Sequence, residues 1–189
     1  MIFVYYGMEI RYHTSQEELS SILVLQADNL REALSKDIWT AEGFVTGVYD
    51  LEMLNLMCDQ YKHVVSVQGD TICGYVLCMH PSSFSQFEFL RPMQLFFRRL
   101  DWGGVKISDL RYIVIGQVCV RRKYRRQGLS QKMYRLMQEQ LKDKWDLAVT
   151  LVDAENIPSR EAHKAFGFKE IYQYKEPLGR EWVIVAFEL

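Results

Sequence analysis

Residues 112–120, YIVIGQVCV, form a near-continuous apolar run. That is the pattern of a strand covered on both faces, and so of an interior place in a layered α/β sheet. The next residues narrow the architecture further. A basic segment passes through Gly128 into a stretch where Leu129, Met133, Leu136, Met137 and Leu141 recur at helical spacing, which is one buried helix face. A second buried strand is expected over 146–152 (DLAVTLV). After it, Asn156, Pro158 and Gly167 frame a short helix, with Pro in its first turn and Gly at its C-terminal cap.

The rest of the chain fits this alternation. Residues 8–13 alternate loosely as a strand, and Thr14-Ser15 with Glu18 resembles a capping box opening a helix whose apolar positions are Leu19, Ile22, Leu23 and Leu30. A less regular stretch containing Gly43 and Gly47 leads to a short helix with Leu51, Leu54, Leu56 and Met57 on its buried face. Residues 63–68 and 71–79 flank Gly69-Asp70 and read as a hairpin. From 80 to 111, Phe84, Phe87, Phe89, Phe96, Phe97 and Trp102 lie between Pro81, Pro92 and Gly103-Gly104. This is an aromatic connector, longer than an ordinary loop, with a short helix expected near 92–100. Strands near 170–175 and 181–188 close the chain. No repeat or linker interrupts it, so one domain over 1–189 is the economical reading.

Composition removes several classes of function. A 189-residue chain that is 49% hydrophobic can bury a substantial core, and a net charge of -1 argues against a surface tuned as a whole to nucleic acid or an anionic membrane. Cys58, Cys73, Cys78 and Cys119 lack zinc-type spacing with one another or with His13, His63, His80 and His163, so reduced, buried thiols and no metal are expected. The apolar opening MIFVYYG is short, has no basic segment before it and meets Glu9 and Arg11 almost at once. No signal peptide and no membrane span are read, which with free cysteines suggests a cytoplasmic protein.

The chemistry concentrates in VCVRRKYRRQGLS, residues 118–130, where a strand ends in five cations among the six residues 121–126 and enters a helix at Gly128. A helix N-terminus offers unpaired N–H groups and the positive end of the macrodipole. Glycine there clears a path for phosphate to the amides, and the small Ser130 extends the clearance. The residues alone leave a solvated basic turn equally open. Other phosphate motifs do not fit, since there is no G-K-[ST] and no G-x-G-x-x-G after a strand.

Arg125-Arg126-Gln127-Gly128-Leu129-Ser130 resembles the Q/R-x-x-G-x-G/A signature of the GNAT N-acetyltransferase superfamily, departing by Ser in the last place, with Val120 and Tyr124 at matching positions. Asn156 through Gly167-Phe168 resembles the family segment in which Asn opens a short helix ending in Gly-Phe. The resemblance implies a mixed α/β (α+β-like) GNAT fold, a mostly antiparallel twisted sheet of about six to seven strands flanked by about four helices. It implies acetyl-CoA as cosubstrate, with amides of Arg125, Arg126, Gln127, Gly128, Leu129 and Ser130 on the pyrophosphate and strand-end amides around Val118 and Val120 on the pantetheine arm and thioester carbonyl. Asn156 would hold the cofactor's other side. Arg121, Arg122, Lys123 and Arg126 are available to a further phosphate, or are simply solvated.

His163 stands where the family often places a Tyr that protonates the departing thiolate, four residues before Gly167, and this makes it the candidate acid. Asp153 and Glu155 are the candidate bases, each more often a solvated turn carboxylate, and Cys119 reads as a core residue. The connector at 84–102 is a candidate acceptor wall. The function implied is acetyl transfer to an amine of a small molecule or polypeptide, and the alternative is a non-catalytic acyl-CoA-binding module. The partners implied are acetyl-CoA and an amine acceptor, with no nucleic acid and no membrane; a homodimer is compatible with the sequence.

Overall fold

The computed structural model describes residues 3–5, 7–87 and 91–189. Its main sheet has eight strands: β1 (Phe3–Tyr5), β2 (Met8–Tyr12), β3 (Val64–Gln68), β4 (Thr71–Met79), β7 (Tyr112–Val120), β8 (Leu147–Asp153), β9 (Lys169–Lys175) and β10 (Glu181–Glu188). They lie in the order β1-β2-β3-β4-β7-β8-β10-β9. Every neighbouring pair is antiparallel except β7 with β8. The two-residue strands β5 (Asp101–Trp102) and β6 (Val105–Lys106) make a separate hairpin. The class is the one expected. The extra strand is β1, and Met1, Ile2 and Tyr6 of that opening lie outside the described residues.

Among the described residues six α-helices flank the sheet: α1 (Gln16–Ala27), α2 (Lys36–Glu42), α3 (Leu51–Met57), α4 (Arg91–Phe97), α5 (Leu129–Leu141) and α6 (Ile157–Phe166). The sequence shows no pattern for α2, and none of its residues is buried. The start of α1 obeys the capping logic with one change. Ser15 caps it by accepting from the Glu18 amide at 3.4 Å, but Glu18 reaches back to the Thr14 N–H at 2.6 Å rather than to Ser15.

Strand alternation places two cores on the two sheet faces. Tyr75, Leu77 and Met79 of β4 meet Leu19, Ile22 and Leu25 of α1 with Leu54 and Met57 of α3. Val76 and Cys78 point the other way, to Met133, Leu136, Met137 and Leu141 of α5. Burying such apolar side chains contributes about 1.5–3 kcal/mol each. Cys73, Cys78 and Cys119 are buried and Cys58 is half-buried, all as free thiols. No cluster of three metal-ligating side chains occurs among the described residues, and no helix among them is long and apolar enough to cross a membrane.

Two irregularities open the middle of the sheet. The β4–β7 register slips between Leu77↔Gln117 and Cys78↔Ile115, leaving Gly116 as the extra residue of a β-bulge. Parallel pairing of β7 with β8 ends at Val114↔Val149, so the strands part beyond that point. Thr150 Oγ1 bridges the start of the gap by donating to the Ile115 carbonyl at 2.7 Å. A Cβ on Gly116 would sit 2.4 Å from Met57 Cε and 3.3 Å from the Tyr49 hydroxyl, so a larger residue at this bulge would have to displace the Met57 methyl.

Candidate functional site

The parting of β7 and β8 exposes one edge of β7. Arg121 donates its N–H to the Cys73 carbonyl on the β4 side at 2.7 Å. Successive N–H groups of a strand point to opposite edges, so Val118 and Val120 turn theirs the other way, into the gap. Val118, Cys119 and Val120 line a cleft of about 560 Å³. Its opposite wall is Gly43, Phe44 and Val45, and its end is the start of α5 at Gly128, Leu129, Ser130 and Gln131.

The α5 terminus leaves its first amides without side-chain partners. Gly128 is the N-cap with φ 71°, and no side chain caps it. The first helical bond runs from Lys132 N–H to the Gly128 carbonyl, so the amides of Leu129, Ser130 and Gln131 precede the ladder. A Cβ on Gly128 would meet nothing nearer than Gln131 Oε1 at 3.8 Å, so the space above those amides is open. Arg126 also takes a positive φ, 60°, in the turn that leads in. A non-glycine residue there costs about 1–2 kcal/mol, which the surrounding turn must offset.

The five cations divide by role. The Arg125 guanidinium donates to the Val120 carbonyl at 2.8 Å, to the Glu42 carbonyl at 3.0 Å and carboxylate at 3.2 Å, and to the Asn29 side-chain oxygen. It ties the strand end to the facing wall. Arg122 pairs with Glu42 at 2.6 Å, Arg121 donates to the Ile72 carbonyl at 3.2 Å, and Lys123 lies over the Tyr124 ring at 4.6 Å. Arg126 lines the cleft and has no carboxylate partner among the described residues.

Most of the expected site residues therefore meet in one cleft: Val118, Val120, Arg125, Arg126, Gly128, Leu129, Ser130 and His163. Two stand apart. Gln127 is exposed, its amide donating to the Lys123 carbonyl at 3.2 Å. Asn156 is buried behind the wall, where its Oδ1 caps α6 at the Ser159 N–H (3.3 Å) and its Nδ2 donates to the Phe44 carbonyl at 2.7 Å. It shapes the cleft through Phe44, and its polar atoms are already engaged.

His163 is buried, and burial, partly countered by the Ser159 carbonyl, lowers its pKa below the usual histidine value. Its Nδ1 lies 2.7 Å from the Ser159 carbonyl, which can only accept, so Nδ1 carries the proton and Nε2 is an acceptor. The partner of Nε2 is the Tyr134 hydroxyl, donating at 2.9 Å. Tyr134 lines the same cleft, and burial drives its pKa well above the ordinary tyrosine value. At neutral pH His163 is thus a neutral imidazole rather than an imidazolium. Tyr134 was not legible as a site residue, because it sits beside the α5 stripe and only the packing of α5 on α6 brings it to His163.

The carboxylates near β8 are also engaged. Asp153 lies 3.2 Å from Arg31 and 3.7 Å from Arg180, burial raises its pKa, and Glu155 is bonded to Arg31. Burial pushes the Cys119 thiol up to about 11, which keeps it protonated as a core residue.

A second cleft, of about 580 Å³, opens at the bulge. It is lined by Val114, Ile115 and Gly116 of β7, by Thr46 to Tyr49, by Thr150 and Leu151, and by the β9–β10 turn. Segment 43–49 runs between the clefts, its first residues in one and its last in the other. Phe96 of the aromatic connector lines the second cleft and packs on Tyr174 at 4.4 Å. Phe87 and Phe97 are core residues, and Trp102 stacks under Lys169 at 5.3 Å. Phe89 and the side chains of Phe84 and Pro92 lie outside the described residues.

The family profile described as Acetyltransferase (GNAT) family matches residues 31–168. The chain belongs to the GNAT acetyltransferase family. Among curated proteins, no sequence matches it. Its fold is similar to that of a GNAT-family acetyltransferase of Streptococcus agalactiae 2603 (16% identity, 98% of each chain covered, TM-score 0.64). It is also similar to the ribosomal-protein-S18-alanine N-acetyltransferase of Escherichia coli (12% identity, 96% of this chain and 93% of that one, TM-score 0.58). A third neighbour is yncA of Salmonella typhimurium, solved with its cofactor acetyl-CoA (17% identity, 96% and 94% covered, TM-score 0.59). At these identities the neighbours establish the GNAT fold and nothing finer.

Proposed function

We propose that this GNAT protein is, over residues 1–189, a single-domain N-acetyltransferase that moves the acetyl group of acetyl-CoA to an amine. One observation carries the reading: the uncapped α5 N-terminus and the open β7 edge face the same cleft, one suited to a pyrophosphate and the other to an extended amide-bearing arm. In this reading the amides of Leu129, Ser130 and Gln131 bind the pyrophosphate, and Arg126 serves another phosphate. The Val118 and Val120 N–H groups hold the arm and the thioester carbonyl, where an N–H stabilises the negative charge that develops on oxygen during transfer. The amine enters from the second cleft and attacks near Gly116, which lines that cleft two residues before Val118 of the first.

The Tyr134–His163 pair stabilises the departing sulfur. Tyr134 keeps its hydroxyl proton throughout the neutral range and, by rotating away from His163 Nε2, donates a hydrogen bond to the sulfur, which takes up the proton that the attacking amine loses; His163 positions that hydroxyl. The free thiols suit a cytoplasmic enzyme. The test is an acceptor panel reading free CoA, with mass spectrometry of the products. A new amide on an amine acceptor is the expected result. Tight acetyl-CoA binding with no thiol release from any acceptor would replace this reading with that of an acyl-CoA-binding module.

A further inference from the structure

The second cleft has a charge pattern that the acetyl-transfer reading does not use. Its floor and walls are largely apolar, with Met93, Phe96, Ile115, Leu151 and Trp182 among them. Three charged residues reach it from the β9–β10 turn: Lys175, Glu176 and Arg180. The two cations are matched. Lys175 is exposed and lies 3.7 Å from Glu181, while Arg180 lies 3.6 Å from Glu32 and 3.7 Å from Asp153. Glu176 is half-buried and has no cation within ion-pair distance among the described residues.

Its position is fixed by the turn itself. The Glu176 N–H donates to the Arg180 carbonyl and the Glu176 carbonyl accepts from the Gly179 N–H, both at 2.9 Å. Gly179 supplies the φ of 93° that closes this turn. The carboxylate is also felt by the cleft wall: burial, and then Glu176, push the Tyr174 hydroxyl up to about 12. Tyr174 is the aromatic partner of Phe96, so the carboxylate stands beside the apolar wall.

We propose that the second cleft takes a primary ammonium carried on an apolar or aromatic body, and that Glu176 is the specificity-determining residue that selects its positive charge. The inference rests on the reading that acetyl is delivered at Gly116, since only then is this cleft the acceptor side. A half-buried carboxylate without a cation gains most from a ligand that supplies one, and the paired Lys175 and Arg180 leave an anionic ligand no equivalent site. The apolar walls then favour the carbon body behind the amine.

The probes are 2-phenylethylamine, 2-phenylethanol and 3-phenylpropionate, titrated by calorimetry into the full chain with and without CoA. Wild type should bind the amine about tenfold more tightly than the alcohol, with the carboxylate weakest. Glu176→Gln should bring the amine to the level of the alcohol and leave the alcohol unchanged, which controls for the fold of the turn. Glu176→Lys should make 3-phenylpropionate the preferred probe. Equal binding of amine and alcohol by wild type, or an amine preference that survives Glu176→Gln, overturns the proposal. A CoA-induced thermal shift is measured on the same samples. Its absence with the amine preference intact would refute acetyl transfer and leave the ammonium site standing, and the opposite pair of results would refute the site alone.

Discussion

Lowering the pH from about 7.5 to about 5 should destabilise this protein, and His63 is the main reason. The side chain is fully buried at the junction of β3 and the loop after α3. Its Nε2–H donates to the Leu54 carbonyl at 3.1 Å, and its Nδ1 accepts from the Cys78 N–H at 3.3 Å. A proton on Nδ1 would set two donors against each other. Burial, and then the His13 ring at 5.3 Å, hold its pKa at about 3 against the ordinary 6.5. The folded value lies below the unfolded one, so the unfolded chain binds the proton more readily between them. Stability is therefore complete above pH 6.5 and falls as the pH drops from 6.5 toward 3. The slope for one such group approaches 1.4 kcal/mol per pH unit, which gives a loss of about 2 kcal/mol at about pH 5. Urea unfolding followed by circular dichroism at several pH values reads it directly. Gln at position 63 can donate to Leu54 and accept from Cys78 without titrating, so His63→Gln should show a shallower slope, with His13 and His163 supplying what remains. Equal unfolding free energies at the two pH values, or an unchanged slope in His63→Gln, would refute the assignment.

The site itself supports four other outcomes. Gly128→Glu should abolish stabilisation by acetyl-CoA in a thermal-shift assay, whereas Gly128→Asn, which tolerates the same φ, should retain most of it. Asn156→Ala removes both the α6 cap and the bond to Phe44, and urea unfolding should show a loss of about 2 kcal/mol. Tyr134→Phe should lower kcat by about 10- to 100-fold, and wild-type kcat should not decline through the histidine range because His163 is already neutral there; His163→Phe should cost less than Tyr134→Phe. Phe96→Ala should raise the acceptor KM with acetyl-CoA binding nearly unchanged, and Trp102→Ala, outside the cleft, should leave both unchanged in the same kinetic assay.

What the sequence displayed and what it hid have a common physical cause. The β7 strand, the α5 stripe and the Gly128 turn are set by local periodicity and one obligatory conformation, so they appear in the order of residues. The turn and helix start at that end of the cleft were legible for that reason. Polar partnerships across the fold were not. The Arg125 side chain has no visible role in the sequence until Asn29 and Glu42 are found against it, and the Asn156 side chain is engaged by Phe44 and the start of α6. The protonation state of His163 depends on Ser159, four residues before it, and on Tyr134, from another helix. Helix α2 was missed because it has no buried face to create a pattern.

The long-range contacts also explain how a gap in a sheet can persist without closing. An open β edge between two strands invites pairing, and here side-chain bonds fasten another segment beside it. Tyr49 donates to the Gly116 carbonyl at 3.0 Å, the Gln117 amide donates to the Gly47 carbonyl at 2.8 Å, and Gln117 in turn accepts from the Tyr75 hydroxyl at 2.5 Å. Segment 43–49 is thus fastened along β7, while Arg125 fastens the strand end to Glu42 and Asn29. These bonds use the polar groups beside the bulge and leave the Val118 and Val120 amides facing the cleft. A site held this way is open before any ligand arrives, so binding energy is not spent on separating the strands.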